Sequence, residues 1–169
     1  AATAYAGSSI RGASDMIHFF FTLKTGTDTV HHRSLNSSDV LGTDQTVFTL
    51  TADGGINFAQ VGNATSYTVS GTKKIAFVFE DYITTGYDLY VATGNDVQNP
   101  TWATTKVSAG SNDLAGGTGG TNASIAGTGG TLWAVYVRNS DTAIMVSHSE
   151  NDGSWRTNTV LHASVFADN

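Results

Sequence analysis

The sequence predicts an all-β protein made of three similar units, and two observations support this prediction. The first is a repeat, because short apolar runs recur at a step of 58 residues. The second is the character of these runs, which are β-branched or aromatic and bounded by Gly, Ser or Asp, as is typical of buried strands. The residues in register are Ile17, Ile75 and Trp133, then Phe19, Phe77 and Val135, then Phe21, Phe79 and Val137, each run following a Ser at Ser8, Ser66 or Ser124.

Each unit is expected to supply four strands. The first strand surrounds the leading Ser, and the second is the apolar run itself. A polar turn leads to the third strand, and a turn rich in Asn, Asp and Gly leads to the fourth. No window of the chain has a helical period with caps. The third strands are predicted at 29–34, 88–93 and 143–149, and the fourth strands at 46–50, 102–107 and 155–160.

Four short antiparallel strands in a repeat of this length describe a blade of a β-propeller. A β-sandwich also uses many short strands, but nothing in a sandwich requires a constant step over two intervals. We therefore expect a single domain over the whole chain, a half-propeller of three four-stranded blades. The approximate blade boundaries are 1–57, 58–115 and 116–169.

Three blades are fewer than the roughly four to eight that close a propeller, so two sheet edges would be left open. The C-terminal segment FADN (166–169), followed by the N-terminal AATAY (1–5), resembles the internal segment FAQVGNATSY (58–67). We therefore expect a head-to-tail homodimer that closes a six-bladed ring. The alternative is that these residues belong to a longer tandem array.

Composition narrows the range of partners. Of the 169 residues, 40% are hydrophobic and 13% are charged, which is typical of a chain that folds around a core. The net charge of -6 and the scattering of Lys and Arg argue against nucleic acid or an anionic membrane surface. No apolar run approaches the ~18 residues that insertion into a membrane requires, and no cysteine is present for disulfides or thiolate metal sites. The Thr-, Ser-, Gly- and Asn-rich texture favours an extracellular, secreted protein.

A short motif precedes the fourth strand of the third unit. The segment SENDGSW (149–155) resembles the Asp-box of sialidase-type BNR repeats, S-x-D-x-G-x-T-W, with one residue fewer. Looser versions occupy the same turn of the other units, TGNDVQNPTW (93–102) and SLNSSDVLGT (34–43), the latter without the Trp. The resemblance implies a BNR-like propeller scaffold, in which the box is a structural turn whose aromatic residue packs between blades.

The catalytic residues of sialidases do not transfer onto this chain. The F-R-I-P opening of that family is absent, and the segment SIRG around Arg11 is the nearest equivalent. An arginine triad for a substrate carboxylate would have to come from the four arginines Arg11, Arg33, Arg138 and Arg156. The resemblance therefore concerns the scaffold.

The densest group of polar and aromatic residues lies between the second and third strands of the second unit, at 80–88. In a propeller such loops lie at one mouth of the central channel. Tyrosines there would stack on a sugar ring while neighbouring acids and amides bond its hydroxyls. The residues of this binding hypothesis are Tyr82, Tyr87, Asp88, Asn139 and Asp141.

Two other interpretations of the same loops stay open. Glu80 or Asp81 would serve as a glycosidase carboxylate, with Arg138 nearby. Because neighbours on a strand point to opposite faces, Glu80 and Asp81 need not act together. Alternatively, the group is a solvated hairpin turn whose acids end a strand.

No metal or other cofactor is predicted. The adjacent His31 and His32 would point to opposite faces of a strand, which is poor geometry for a shared ion. Structural or solvated roles are expected for the histidines. Trp102 and Trp155 are expected to pack between blades, and Trp133 is expected in the core because it shares the register of Ile17 and Ile75.

These observations together favour a lectin-like module that binds glycans or another extracellular polymer without catalysis. Repeated blades would present similar shallow sites, whose combined avidity exceeds that of each site. The alternatives are a glycoside hydrolase of sialidase-like build and a purely structural blade assembly.

Overall fold

A computed structural model describes residues 3–24, 27–50, 60–83, 86–108, 123–149, 154–156 and 159–162. Within these residues the chain forms twelve β-strands and no helix. The strands are β1 (Thr3–Arg11), β2 (Ile17–Lys24), β3 (Asp28–Leu35), β4 (Gln45–Thr49), β5 (Val61–Val69), β6 (Thr72–Ile83), β7 (Gly86–Asn95), β8 (Ala103–Lys106), β9 (Ala123–Thr128), β10 (Thr131–Val137), β11 (Ile144–His148) and β12 (Thr159–His162).

The strands form three antiparallel sheets of four, each made from strands that are consecutive in the chain. We call β1–β4 the first sheet, β5–β8 the second sheet and β9–β12 the third sheet. Every strand pairs with the next along the chain, so each sheet is a simple meander. The predicted all-β class and the three four-stranded units are therefore confirmed.

Some predicted features fall wholly or partly outside the described residues. They are the junction of the termini (1–2 and 163–169), the centre of the Asp-box-like turn in the third unit (150–153), the tip of the 80–88 loop (84–85) and part of the fourth strand of the third unit (157–158).

The second sheet lies between the other two, and a hydrophobic core fills each of the two contacts. The core against the first sheet contains Phe20 and Val30 from that sheet with Ile75 and Phe77 from the second. The core against the third sheet joins residues such as Val78 and Leu89 to Leu132, Ala134 and Tyr136. Strand β6 is therefore buried on both faces, without a break from Ile75 to Asp81.

The three sheets share one orientation. Asn63 and Thr65 of β5 bond to Ile125 and Gly127 of β9, and both partners advance together along the chain, so β5 and β9 run in the same direction. Lys73 Nζ donates to the carbonyl of Ala13 at 2.8 Å, which places the β5–β6 turn beside the β1–β2 turn. The turns between second and third strands therefore lie at one common end of the molecule.

Trp102 packs between sheets, as the sequence predicts. Its ring meets Phe20 and His32 of the first sheet edge-on, with centroids 5.8 and 4.9 Å away, and meets Phe77 of the second sheet at 5.5 Å. Trp155 packs against the core between the second and third sheets. Both predicted packing roles are confirmed.

The prediction that Trp133 lies in the core is wrong, because 40% of this residue is exposed. Thr72 and Thr131 close equivalent two-residue hairpins, pairing with Val69 and Thr128, and they are 59 residues apart rather than 58. A one-residue slip moves a side chain to the opposite face of a strand. Trp133 therefore corresponds to the partly exposed Lys74, and not to Ile75.

The end sheets each keep one uncovered apolar face. On the first sheet, Ile17 and Phe19 are each 37% exposed, whereas Ile75 and Phe77, in the same register, are fully buried in the second sheet. On the third sheet the uncovered face carries Trp133, whose ring stacks on His148 with centroids 4.8 Å apart. Beside them lies an open groove of about 330 Å³, lined by Ser124, Val135, Val137, Ile144 and neighbouring residues.

Candidate functional site

The candidate residues of the second sheet lie on the hairpin between β6 and β7. The register pairs Glu80 with Leu89, Asp81 with Asp88 and Tyr82 with Tyr87 across the two strands. Cross-strand partners project from the same face of a sheet, and successive residues project from opposite faces. The hairpin therefore divides the predicted site into two halves.

Asp81 and Asp88 project towards the first sheet, and both are buried. Asp88 is engaged within the chain, since Lys106 Nζ lies 2.8 Å from its Oδ2 and Ser108 Oγ donates to its Oδ1 at 3.4 Å. The pKa of Tyr90, on the same face, is raised mainly by burial and further by the negative charges of Asp81 and Asp88. This half of the site faces the protein interior.

Glu80, Tyr82 and Tyr87 project from the other face, towards the third sheet. Glu80 is fully buried, and its backbone N–H donates to Gln60 O at 3.0 Å. The tyrosine rings meet at a tilt of 59° with centroids 5.0 Å apart, and both remain partly exposed. Burial, and then the charge of Glu80, raise the pKa of Tyr87. The two carboxylates of the catalytic interpretation, Glu80 and Asp81, thus do not converge on one space.

The predicted residues of the third sheet form a compact turn between β10 and β11. Arg138 Nε and Nη2 donate to the two carboxylate oxygens of Asp141 at 2.8 and 2.5 Å, and the backbone N–H of Ala143 donates to the same carboxylate at 3.1 Å. The bond from Arg138 is the main reason why the pKa of Asp141 lies below its ordinary value. Asn139 is exposed beside this pair.

The common orientation of the sheets brings the Tyr82–Tyr87 pair and the 138–141 turn to the same end of the molecule. Among the described residues, the partly exposed groups at this end include the two tyrosine rings and the polar 138–141 turn with its Arg138–Asp141 ion pair. Such groups can stack on a flat apolar face of a ligand and exchange hydrogen bonds with hydroxyls.

A buried polar cluster that the sequence does not single out crosses the contact between the first and second sheets. Its members bond in series: Asp96 Oδ1 lies 2.9 Å from His18 Nε2, His18 Nδ1 lies 2.9 Å from His32 Nε2, and His32 Nδ1 lies 3.0 Å from Gln45 Oε1. We call Asp96, His18, His32 and Gln45 the relay. The signal available in the sequence is the strand alternation, which places His18 and His32 on the inward face of paired strands.

Burial shifts both histidines of the relay towards the neutral form. It lowers the pKa of His32 to about 4, against a weaker opposing effect of the bond to Gln45. It also lowers the pKa of His18, where the hydrogen bond and the negative charge of Asp96 act in the opposite direction. His18, His32 and Asp96 are all buried.

The segment 96–100 carries Asp96 and docks on the first sheet throughout. Asp96 Oδ2 accepts the backbone N–H of Ser14 at 2.7 Å, and Gln98 Nε2 donates to Val40 O at 2.9 Å. Asn99 Oδ1 accepts from the hydroxyl of Thr43 at 2.9 Å. Gly12 is required opposite this segment, because a Cβ there would lie 2.2 Å from a carboxylate oxygen of Asp96.

No three His, Asp or Glu side chains among the described residues are grouped so that they could hold a metal ion. The described residues also contain no helix long and apolar enough to cross a membrane. Comparison with known proteins adds no relative: no family model matches the chain, and no curated protein is significantly similar to it.

Proposed function

We propose that the three sheets are blades of a β-propeller with a BNR-like scaffold. Three features support this arrangement: the sheets are consecutive four-stranded meanders, they pack face against face, and they share one orientation. The first strands are also neighbours, β1 beside β5 and β5 beside β9, as expected of the innermost strands around a propeller axis.

A second copy of the chain, packed head to tail, is the partner that would complete the ring. The uncovered face of the first sheet repeats the pattern that the second sheet buries, with Ile17 and Phe19 in the register of Ile75 and Phe77. The third sheet offers its own uncovered face, around Trp133. The uncovered faces of the first and third sheets thus correspond to the two faces that already pack together in the first–second and second–third sheet contacts. This correspondence favours a closed six-bladed dimer.

The proposed activity of this module is to bind glycans or another extracellular polymer without catalysis. The observation that carries it is the placement of Tyr82 and Tyr87, partly exposed, at the same end as the polar 138–141 turn. Exposed aromatic faces beside hydroxyl-binding groups suit a saccharide. The Thr-, Ser- and Gly-rich composition is the basis for proposing an extracellular, secreted location.

Burial of the carboxylates favours binding over the sialidase-like alternative. Glu80 and Asp81 are fully buried and point to opposite faces, whereas a glycosidase needs two carboxyl groups flanking one glycosidic bond. Among the described residues, the only support for the purely structural alternative is the pair of uncovered apolar faces. This alternative predicts assembly without glycan binding.

A glycan array probed with the purified chain tests the binding proposal. We expect binding to a subset of glycans, a loss of at least about tenfold for Tyr82→Ala, and a smaller loss for Tyr82→Phe, which retains the ring. Thr104→Ala, an exposed change on β8, is the matched control and should bind as the unmodified chain does. Failure to bind any glycan, or equal binding by Tyr82→Ala, would contradict the proposal.

A further inference from the structure

Pro100 sets the direction of the hydrogen bonds along the relay. Its carbonyl oxygen can only accept, so Gln45 donates to it through Nε2, at 3.1 Å. The other amide atom, Oε1, then faces His32 and must accept a hydrogen bond from its Nδ1–H. A neutral His32 that donates through Nδ1 has a bare Nε2, which accepts from Nδ1 of His18.

With these hydrogen-bond directions, the contact between His18 and Asp96 lacks a proton. A neutral His18 that donates through Nδ1 has a bare Nε2, and this lone pair faces carboxylate Oδ1 of Asp96 at 2.9 Å. A buried acceptor without a donor is costly. Reversing both imidazole tautomers moves the deficit to the other end, because Gln45 would then turn its own oxygen towards the oxygen of Pro100.

We propose that the relay is a single-proton switch: one proton bound between His18 and Asp96 completes the hydrogen bonds that join the first and second sheets, and its loss breaks one of them. In the bound form an imidazolium on His18 donates to the Asp96 carboxylate. Such a charge-assisted bond is roughly twice as strong as a neutral one. Mild acid therefore tightens this contact relative to a form that cannot bind the proton.

The surroundings of the relay favour one proton and disfavour two. The rings of His18 and His32 stack with centroids 5.2 Å apart, so a second imidazolium would repel the first. Among the described residues, the acids that act on the two histidines are Asp96, from the segment after β7, and Asp44 beside β4. The ammonium of Lys73 bonds the carbonyl of Ala13 at 2.8 Å. Phe20 and Trp102 lie against the ring of His32, with centroids 5.5 and 4.9 Å away.

The variant Asp96→Asn distinguishes the proposed switch from an ordinary ion pair between His18 and Asp96. The amide Nδ2 of Asn supplies a donor to Nε2 of His18, while its oxygen still accepts the N–H of Ser14. In Asp96→Asn the hydrogen bonds of the relay are thus complete without a bound proton, and acidification adds no stability through them.

Thermal midpoints of the unmodified chain and Asp96→Asn are compared at pH 8 and pH 5.5. We expect the variant to equal or exceed the unmodified chain at pH 8 and to fall below it at pH 5.5, a relative change of about 2–4 °C or more. A variant that is less stable at both pH values would indicate an ordinary ion pair, and one that is more stable at both would indicate that no proton binds. Either result overturns the proposal.

Asp15→Asn is the control for Asp96→Asn, because it removes an exposed acid that bonds to Arg11, and it should show no such reversal. One further measurement keeps the proposal testable if Asp96→Asn does not fold. Nitrogen-15 NMR of the unmodified chain should show His32 protonated at Nδ1 alone, and His18 should gain its second ring proton at a higher pH than His32 does. A His32 protonated at Nε2, or simultaneous protonation of both rings, would overturn the switch.

Discussion

Asn63 and Ile125 exchange two hydrogen bonds of 2.8 Å, one in each direction, between the second and third sheets. The amide of Asn63 donates to the carbonyl of Ile125 and accepts a hydrogen bond from its N–H. The side chain thus makes the two hydrogen bonds that the backbone of a neighbouring strand would make. A register shift in β5 between Val61 and Ala64 accompanies this contact, and such bulges re-aim side chains. The contact between these two sheets is therefore specified by a polar bond in addition to apolar packing.

We predict that Asn63→Ala destabilises the fold by about 1–3 kcal/mol, because it leaves the N–H and C=O of Ile125 without their partner. Chemical denaturation followed by fluorescence measures the effect. Asn139→Ala, on the exposed 138–141 turn, is the control and should change the free energy of unfolding by less than about 0.5 kcal/mol. Equal effects of the two variants would argue against the Asn63 bridge.

A charge on the uncovered face of the third sheet should separate the proposed dimer. Trp133→Lys places an ammonium where the second copy would pack, and burying an unpaired charge is strongly unfavourable. Phe19→Lys tests the opposite face of the contact in the same way. We expect each variant to run as a single chain in size-exclusion chromatography with light scattering.

The control for these variants is Val40→Lys, because Val40 is 54% exposed in a turn that lies beside Gln98 of the segment 96–100. It should leave the mass of the assembly unchanged. If Trp133→Lys and Phe19→Lys associate as the unmodified chain does, the two faces do not form the contact.

The depressed pKa of His32 predicts a loss of stability in acid. A histidine with a pKa of about 4 in the folded state and 6.5 in the unfolded state stabilises the fold fully above pH 6.5, and this contribution disappears as the pH falls towards 4. The difference corresponds to about 3 kcal/mol. Unfolding free energies measured from pH 7 to 4 should therefore fall less steeply for His32→Gln, and an unchanged slope would contradict the buried, neutral state of His32.

The binding proposal also predicts the outcome of an activity assay. Because Glu80 is fully buried, neither the unmodified chain nor Glu80→Gln should hydrolyse a panel of fluorogenic glycosides. Hydrolysis that is lost in Glu80→Gln would instead support the sialidase-like alternative and would require the hairpin to open.

The strand content and the three units were predictable because the apolar runs and turn residues are local signals. The register of the third unit was not, because its hairpin shifts the step from 58 to 59 residues between Thr72 and Thr131. That shift decides which face of β10 is buried. A prediction from a constant 58-residue repeat therefore assigns Trp133 to the core.

The candidate site was predictable only in part. The aromatic pair Tyr82 and Tyr87 follows from hairpin spacing, since cross-strand neighbours share a face. The burial of Glu80 and Asp81 could not be anticipated, because it requires both faces of β6 to be covered by other sheets. The relay was equally hidden, since Asp96 meets His18 across 78 positions of sequence.

The mass of the purified chain in solution, measured by light scattering, tests the central proposal most directly. A half-propeller closed by a second copy should give twice the chain mass of 17.6 kDa, at all concentrations above the dissociation constant. A mass of one chain, or an open series of larger assemblies, would contradict the closed ring.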